Sequence, residues 1–349
     1  MHKWRIKKGR FLGIDNFEAA FGNLAYVGLL ALVIVAIFFG VKLLSQRAAG
    51  TPRLPSRVSK ALGILLICGG LLGAIYSLPA IWENGDDDML DALRVTIWYS
   101  LGTVPVQLAL GLFIAVLLDQ NFRGKQAFRV IYLLPYIVPS VASATVFERL
   151  FSLRPESFAN QIFRIFRAEP LQWLLEVRGI FDLLFGWGIA REGTGVVSAY
   201  WTTWAAGPSL ALVSIMLYNY WVYSGYYALI YSNGLANIPR QLYEAAEVDG
   251  AKKSTVFFKI ILPLLSPSTF FLSMLGIIGT FKAFNHIYVL RNAVTRGAAD
   301  PMSVYIFFTF FRKSRFGYAS ALALLLFIIV MGLTLVQRKI MAKRVFYGE

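Results

Sequence analysis

Gly234–Pro267 reads GLANIPRQLYEAAEVDGAKKSTVFFKIILPLLSP and sits between two long apolar segments. A charged side chain at the centre of a membrane helix costs about 2.5–3.5 kcal/mol on insertion scales. This polar island therefore lies outside the bilayer core. Pro239 suits the first turn of a helix, where its missing N–H has no partner anyway. Leu242, Ala245, Ala246 and Val248 then give a short helix with one small, apolar side. Asp249-Gly250 breaks it, because Gly readily takes the backbone angles of a helix end. A second short helix follows, with Phe257, Ile260 and Ile261 on one side and Lys252, Lys253 and Lys259 on the other. Pro263 and Pro267 mark the start of the next membrane segment. The prediction is helix, glycine turn, helix, lying flat in a cytoplasmic loop.

Composition agrees with a membrane setting. The 349 residues are 57% hydrophobic, with a mean hydropathy of +0.61, far above an ordinary soluble domain. Seven runs approach or exceed the ~20 residues needed to cross hydrocarbon: roughly 24–45, 60–82, 92–118, 128–151, 205–232, 264–290 and 317–337. Alternating barrel strands are absent. The expected fold is an all-α integral membrane protein, a polytopic helix bundle in which each helix satisfies its own backbone. The net charge of +15 does not point to nucleic acid, because the basic residues mostly sit in short loops beside membrane segments, the positive-inside pattern. Cys68 is the one cysteine and His2 and His286 are far apart, so neither a disulfide, a metal site nor a cofactor is expected.

The loops set the orientation. Gln46–Lys60 carries Arg47, Arg53, Arg57 and Lys60 and no acid, and its Pro52 and Pro55 discourage helix; it belongs inside. Trp82–Asp91 is acidic and suits the outside. Asn121–Arg129, the Glu244 loop and the C-terminal tail with Arg338, Lys339, Lys343 and Arg344 fall inside. Arg291–Arg315 is basic yet falls outside. The basic start, with Lys3, Arg5, Lys7, Lys8 and Arg10, also falls outside on this count. Either a first helix is missing ahead of it, or residues 1–10 lie on the inner surface and an early helix is miscounted. The former is preferred on the resemblance described next. Residues 152–204 mix acids and arginines, with apolar stretches too short to span, and are expected to form a small outer helical cap with Trp173, Trp187, Trp201 and Trp204 near the interface.

Glu244-Ala245-Ala246, Asp249-Gly250-Ala251, Phe257, Ile260 and Leu262-Pro263 resemble the "EAA" loop of permease subunits of binding-protein-dependent ABC importers. The preceding Gly234 to Tyr243, Gly-Leu-x-x-Ile-Pro-x-x-Leu-Tyr, resembles the carbohydrate-importing branch, which includes the larger membrane subunit of the maltose transporter. Amphipathicity alone would suit an interfacial helix without a partner, but it does not require this order of breakers and prolines. Gly13-Ile14-Asp15-Asn16-Phe17 is similar to a segment that follows the family's first membrane helix on the outer side. Residues 93–151 resemble the family core at Pro105, Gly111-Leu112, Arg123-Gly124 and Leu134-Pro135. Phe316–Ala321 resembles its closing segment, and the family's Thr-x-Gly-Gly-Pro survives only as Thr295-Arg296-Gly297.

The resemblance implies a type I ABC importer permease. Residues 1–91 would be an N-terminal segment with an extra two-helix hairpin, and 92–349 the transmembrane domain, with an outer insert at 152–204 and a coupling loop at 234–267. Glu244, Ala245, Ala246, Asp249, Gly250, Ala251 and Phe257 would couple it to a homodimeric ATP-binding subunit. A second homologous permease, an extracytoplasmic sugar-binding protein and membrane lipid complete the implied partners, in a bacterial or archaeal cell membrane. Matching positions for sugar contact are Asn219, Trp221, Val222, Tyr223 and Tyr226 in one helix, and Gly276, Gly279, Thr280 and Ala283 in another. Asn219, Tyr223 and Tyr226 share one helical face, and aromatic faces beside amides suit a sugar ring; helix–helix packing explains the same residues equally well.

Two other classes compete. Asp87-Asp88-Met89-Leu90-Asp91 reads as Asp-Asp-x-x-Asp, the magnesium–diphosphate motif of prenyltransferases, although acids at a helix start also suit the dipole alone. A secondary transporter would show membrane-embedded acids or broken helices in repeats, and Glu148 is the one candidate acid. No Gly-x-x-x-x-Gly-Lys-Ser/Thr loop occurs, so the chain is not expected to be an enzyme, and ATP hydrolysis must come from a separate subunit.

Overall fold

In the computed structural model, residues 15–48, 56–120, 123–152, 154–165, 170–185 and 196–341 are described. The expectations for the basic N-terminus, Gly13 and Ile14, Pro52, Pro55, Trp187, Lys343 and Arg344 lie outside those residues. The order is α1 (Asp15–Phe21), α2 (Leu24–Ala48), α3 (Ser56–Asn84), α4 (Asp87–Asp119), α5 (Lys125–Ile137), α6 (Ser140–Leu150), α7 (Phe158–Ile165), α8 (Ile180–Phe185) and α9 (Val196–Ala205). It continues with α10 (Leu210–Ala236), α11 (Arg240–Val248), α12 (Lys253–Val256), a π-helical turn (Phe257–Ile261), α13 (Leu262–Leu264), α14 (Ser266–Phe281), α15 (Asn285–Leu290), α16 (Met302–Phe311) and α17 (Phe316–Met341). Among the described residues α3, α4 and α17 are each long and apolar enough to cross a membrane alone. The chain is a multi-pass, all-helical membrane protein.

Two of the predicted spans are corrected. The expected 128–151 helix is α5 and α6, bent by 96° at the break. Pro139 explains it: the residue before a proline is pushed out of the helical region, and Val138 is extended at φ −67°, ψ 136°. The expected 264–290 helix is α14 and α15, interrupted at 282–284, where Phe284 takes φ −136°, ψ −61°. On the other side of α14, the helix that begins at Lys253 runs to Leu264 and meets α14 at a 62° bend. Pro263 cannot donate a backbone bond, and one π-type turn, with Leu262 N–H on the Phe257 carbonyl, precedes it.

The contacts divide the chain into two compact units. One comprises the described parts of 1–90, 188–205 and 309–322. In it α2 and α3 form a hairpin held by glycines: a Cβ on Gly70 would come within 2.6 Å of Ile37, and one on Gly73 within 2.6 Å of Val33. Small residues let membrane helices approach this closely. The outer faces of the pair, with Leu32, Ile34, Leu65 and Leu72, are exposed, as a lipid-facing surface requires.

The other unit comprises the described parts of 91–187, 206–308 and 323–349. Its central element is α10, which buries 14 of its 27 residues. One apolar cluster gathers Tyr99, Phe147, Ile215, Tyr218 and Ile287 around the first half of α10. A second gathers Ala115, Tyr231, Leu235, Ile238, Leu265 and Leu272 around its second half. Trp173 is buried with Ala159 and Leu210, its indole N–H donating to Asn160 at 2.9 Å.

Candidate functional site: the loop after α10 and a cavity between helices

The loop after α10 is anchored by its ends. Leu235, Ile238 and Leu265 are buried, and Tyr243 and Ile261 pack against the same cluster. Burial, and then the nearby Asp119 carboxylate, hold the Tyr243 phenol above its ordinary value. Pro239 takes φ −59°, ψ 131° as the residue that caps α11, one position earlier than expected.

The end of α11 is closed by backbone alone. Gly250 adopts φ +66°, its N–H meets the Glu247 carbonyl at 3.0 Å, and the Ala251 N–H meets the Ala246 carbonyl at 2.9 Å. These paired bonds form a Schellman cap, which favours glycine at the left-handed position. Of the expected coupling residues, Ala246 is buried, Ala251 and Phe257 are half-buried, and Glu244, Ala245, Asp249 and Gly250 are exposed. Part of the apolar side of α11 is left uncovered by the described residues: Val248 is 89% exposed. Phe258, which sequence reasoning passed over in favour of Phe257, is 64% exposed.

The expected substrate residues converge elsewhere in the same unit. A cavity of ≈ 350 Å³ opens between α4, α5, α6, α10, α14 and the 282–284 break. Asn219, Tyr223, Tyr226 and Thr280 all line it, as do Gly276, Gly279 and Ala283. Trp221 does not; it lies 49% exposed elsewhere on α10, its ring near Phe147.

Two of the polar residues are already engaged by the protein. Asn219 donates to the Tyr99 hydroxyl and accepts from Gln107 through short bonds. The Tyr99 hydroxyl, which accepts from Asn219, is also hydrogen-bonded to His286 Nε2 at 2.8 Å. Thr280 Oγ1 lies 2.9 Å from both Ser100 Oγ and the Gly276 carbonyl. The aromatic residues form a wall instead. Tyr226 stacks on Tyr136 at 4.7 Å and 16°, and Tyr223 meets Tyr136 edge-on at 5.6 Å.

Sequence reasoning missed Tyr136, Gln107 and Tyr99. The available signal was a polar group inside an apolar run, which tends to seek a partner or a cavity. The break at 282–284 adds Lys282, Asn285 and His286 to the lining.

The Asp87–Asp91 motif does not converge. Asp87 Oδ1 accepts from the Asp88 N–H, Asp88 pairs with Lys313 at 3.2 Å, and Asp91 pairs with Arg94 at 3.1 Å. Among the described residues no cluster of three or more His, Cys, Asp or Glu could hold a metal ion. The carboxylates serve a helix start and ion pairs, and the magnesium–diphosphate reading is set aside.

The sequence pattern of the family described as binding-protein-dependent transport system inner membrane component matches residues 107–346. A probable ABC transporter permease of Bacillus subtilis, YesP, is 32% identical over 272 residues, which cover 76% of each chain. The trehalose/maltose transport system permease MalF of Thermococcus litoralis is 28% identical over 246 residues, 70% of this chain and 72% of that one. A chain of a bacterial alginate ABC transporter, crystallised in complex with an alginate pentasaccharide-bound periplasmic protein, has the same fold with a TM-score of 0.57. It is 18% identical and the match covers 73% of this chain and 78% of that one.

Proposed function

The chain belongs to the family of binding-protein-dependent transport system inner membrane components, and on that premise we propose that it forms half of a sugar pathway in an ABC importer. It is a transport permease component rather than the catalytic subunit. The observation that carries the reading is the exposed side of α11. Glu244, Ala245, Val248 and Asp249 face away from the chain that positions them, on a loop whose two ends are buried. An apolar, small-residue surface rimmed by carboxylates suits a groove on another protein. We assign that protein as a homodimeric ATP-binding subunit, with this loop and the C-terminus on the cytoplasmic side.

A second, similar permease supplies the other half, because the cavity here is open rather than closed over by the described residues. The sugar assignment rests on the Tyr136–Tyr223–Tyr226 wall, whose flat faces suit the C–H face of a sugar, together with the maltose and alginate systems among the similar proteins. The α7–α9 region would face an extracytoplasmic sugar-binding protein. ATPase closure would draw the two coupling loops together and open the bundle outward.

The test is gentle solubilisation of the tagged chain and identification of what purifies with it. The expected result is a P-loop ATPase and a second permease, with the ATPase lost when Glu244 and Gly250 are both replaced. Purification of the wild-type chain alone, or as a homo-oligomer, overturns the assignment.

A further inference from the structure

We propose that the transported molecule carries an anionic group, a carboxylate or phosphate on a sugar or polyol, and that Lys282 holds it. This rests on the importer reading above and adds the chemical class of the substrate.

Lys282 ends α14 at the helix break, is exposed, and lines the cavity. Its backbone N–H closes α14 on the Ile278 carbonyl at 3.2 Å, but its ammonium makes no hydrogen bond or ion pair with another described residue. Among the described residues no Asp or Glu lines the cavity either. The other contributors are phenols, amides, hydroxyls, a histidine and apolar groups, so the cavity carries one full positive charge and no negative one. A cation within membrane-spanning segments is expensive unless water or an opposite charge meets it. The break supplies the water, since irregular backbone at membrane depth is tolerated where it lines a cavity. The opposite charge is missing from the lining, and a bound anion would supply it.

A lysine at a helix C-terminus also complements the helix dipole. That role accounts for a cation on α14 but is indifferent to what enters the cavity. The arrangement of the rest of the lining favours a substrate role. Tyr136 and Tyr226 offer a stacked aromatic wall, while Asn285 is exposed beside the same break. A ring against the phenols and an acid on the ammonium would use both features. The volume of ≈ 350 Å³ is at the small end of the ~300–1,000 Å³ typical of ligand cavities, which suits a short saccharide passing through rather than a long chain held whole.

The experiment uses the co-purified complex with its ATPase, second permease and binding protein, reconstituted in vesicles. ATP-driven uptake is compared for three labelled probes: a galacturonate disaccharide, the corresponding neutral galactose disaccharide, and glycerol 3-phosphate. The expected result is preferred uptake of one of the two anionic probes, and which one identifies the acid as carboxylate or phosphate. Lys282→Gln should lower the preference for that probe over the neutral one by about tenfold, the scale of one charged hydrogen bond, and Lys282→Arg should retain most of it. Equal loss of all probes in Lys282→Gln, faster uptake of the neutral sugar by the wild type, or no anionic uptake by a complex with an active ATPase each overturn the proposal. A purified chain with no ATPase bound instead overturns the importer reading beneath it.

Discussion

The Ala251 N–H donates back to the Ala246 carbonyl at 2.9 Å, across a glycine whose φ is +66°. That bond turns the chain from α11 into the helix that climbs toward α14. A Cβ on Gly250 would meet nothing within 4 Å, so the position is constrained by backbone angle rather than by space. Gly250→Pro forces φ to about −65° and removes the N–H that caps Glu247. The variant should insert and accumulate in membranes like the wild type but lose transport. Gly250→Ala, strained only by its angle, should retain part of it. Uptake in cells with expression matched by immunoblot checks both, and normal uptake by Gly250→Pro would sink the coupling assignment.

Gly225 on α10 faces the backbone of Tyr132 on α5, and a Cβ there would fall inside the Tyr132 carbonyl. The rigid neighbour leaves no side chain to move aside. Gly225→Val should therefore destabilise the unit by about 1–3 kcal/mol, the usual cost of overpacking, read as a lowered melting temperature in detergent. Gly279→Ala, with open space at its Cβ, is the matched control and should melt near the wild type.

The loop and the spans were legible because their signals are local. Charges and prolines between Gly234 and Pro267 mark where hydrocarbon ends, and apolar runs such as 317–337 read directly as helix. Pro139 was visible too, but a proline alone does not distinguish a gentle kink from the 96° break found there. The interruption at 282–284 has no proline or glycine in it; Lys282-Ala283-Phe284 carries no breaker, and its shape is set by packing. The same holds for the Tyr99–Asn219–His286 network, whose members are 120 and 67 residues from Asn219. Periodicity placed Asn219 on the right face of α10 but could not show that its amide is already bonded within the protein.

Tyr226 is the residue of the aromatic wall with the best-defined ring contact, stacked on Tyr136. Removing the ring should weaken substrate capture more than turnover. Tyr226→Ala should raise the half-saturating substrate concentration about 2- to 10-fold, in line with ~0.5–1.5 kcal/mol for an aromatic contact, while Tyr226→Phe should change it little. Transport-coupled ATPase assays over a substrate range separate the two effects. An unchanged Tyr226→Ala would remove the wall from the substrate path.

Arg291 and Asp300 close the segment after α15 through a two-pronged ion pair, at 2.6 and 2.8 Å. The side chains are only 12% and 11% exposed, and the guanidinium also lies 4.2 Å from the centre of the Phe308 ring. Removing one partner strands a buried charge. Asp300→Ala should cost about 3–5 kcal/mol, and adding Arg291→Met to it should recover much of that loss by removing the stranded charge. Thermal melting of the four members of the cycle tests this. Equal melting of Asp300→Ala and the wild type would show the pair to be solvated.

Glu176 and Arg178 form a two-pronged pair between α7 and α8, at 3.0 and 2.9 Å. Their carbonyls accept the N–H groups of Ala211 and Leu210 at the start of α10. The hydrogen bond from the Arg178 side chain holds the Glu176 carboxyl below its ordinary value. A lowered folded value means the unfolded segment binds protons first. The contribution is therefore complete above the ordinary carboxylate range and is lost as pH falls through the lowered value. Arg178 is 64% exposed, so solvent screens the pair and the effect is small. It should be read locally, as hydrogen exchange at Leu210 and Ala211 corrected for intrinsic rate. Acidification should speed exchange there in the wild type. Glu176→Gln should exchange faster at neutral pH and lose the dependence. Matching pH profiles in the two proteins would show that the pair does not secure the start of α10.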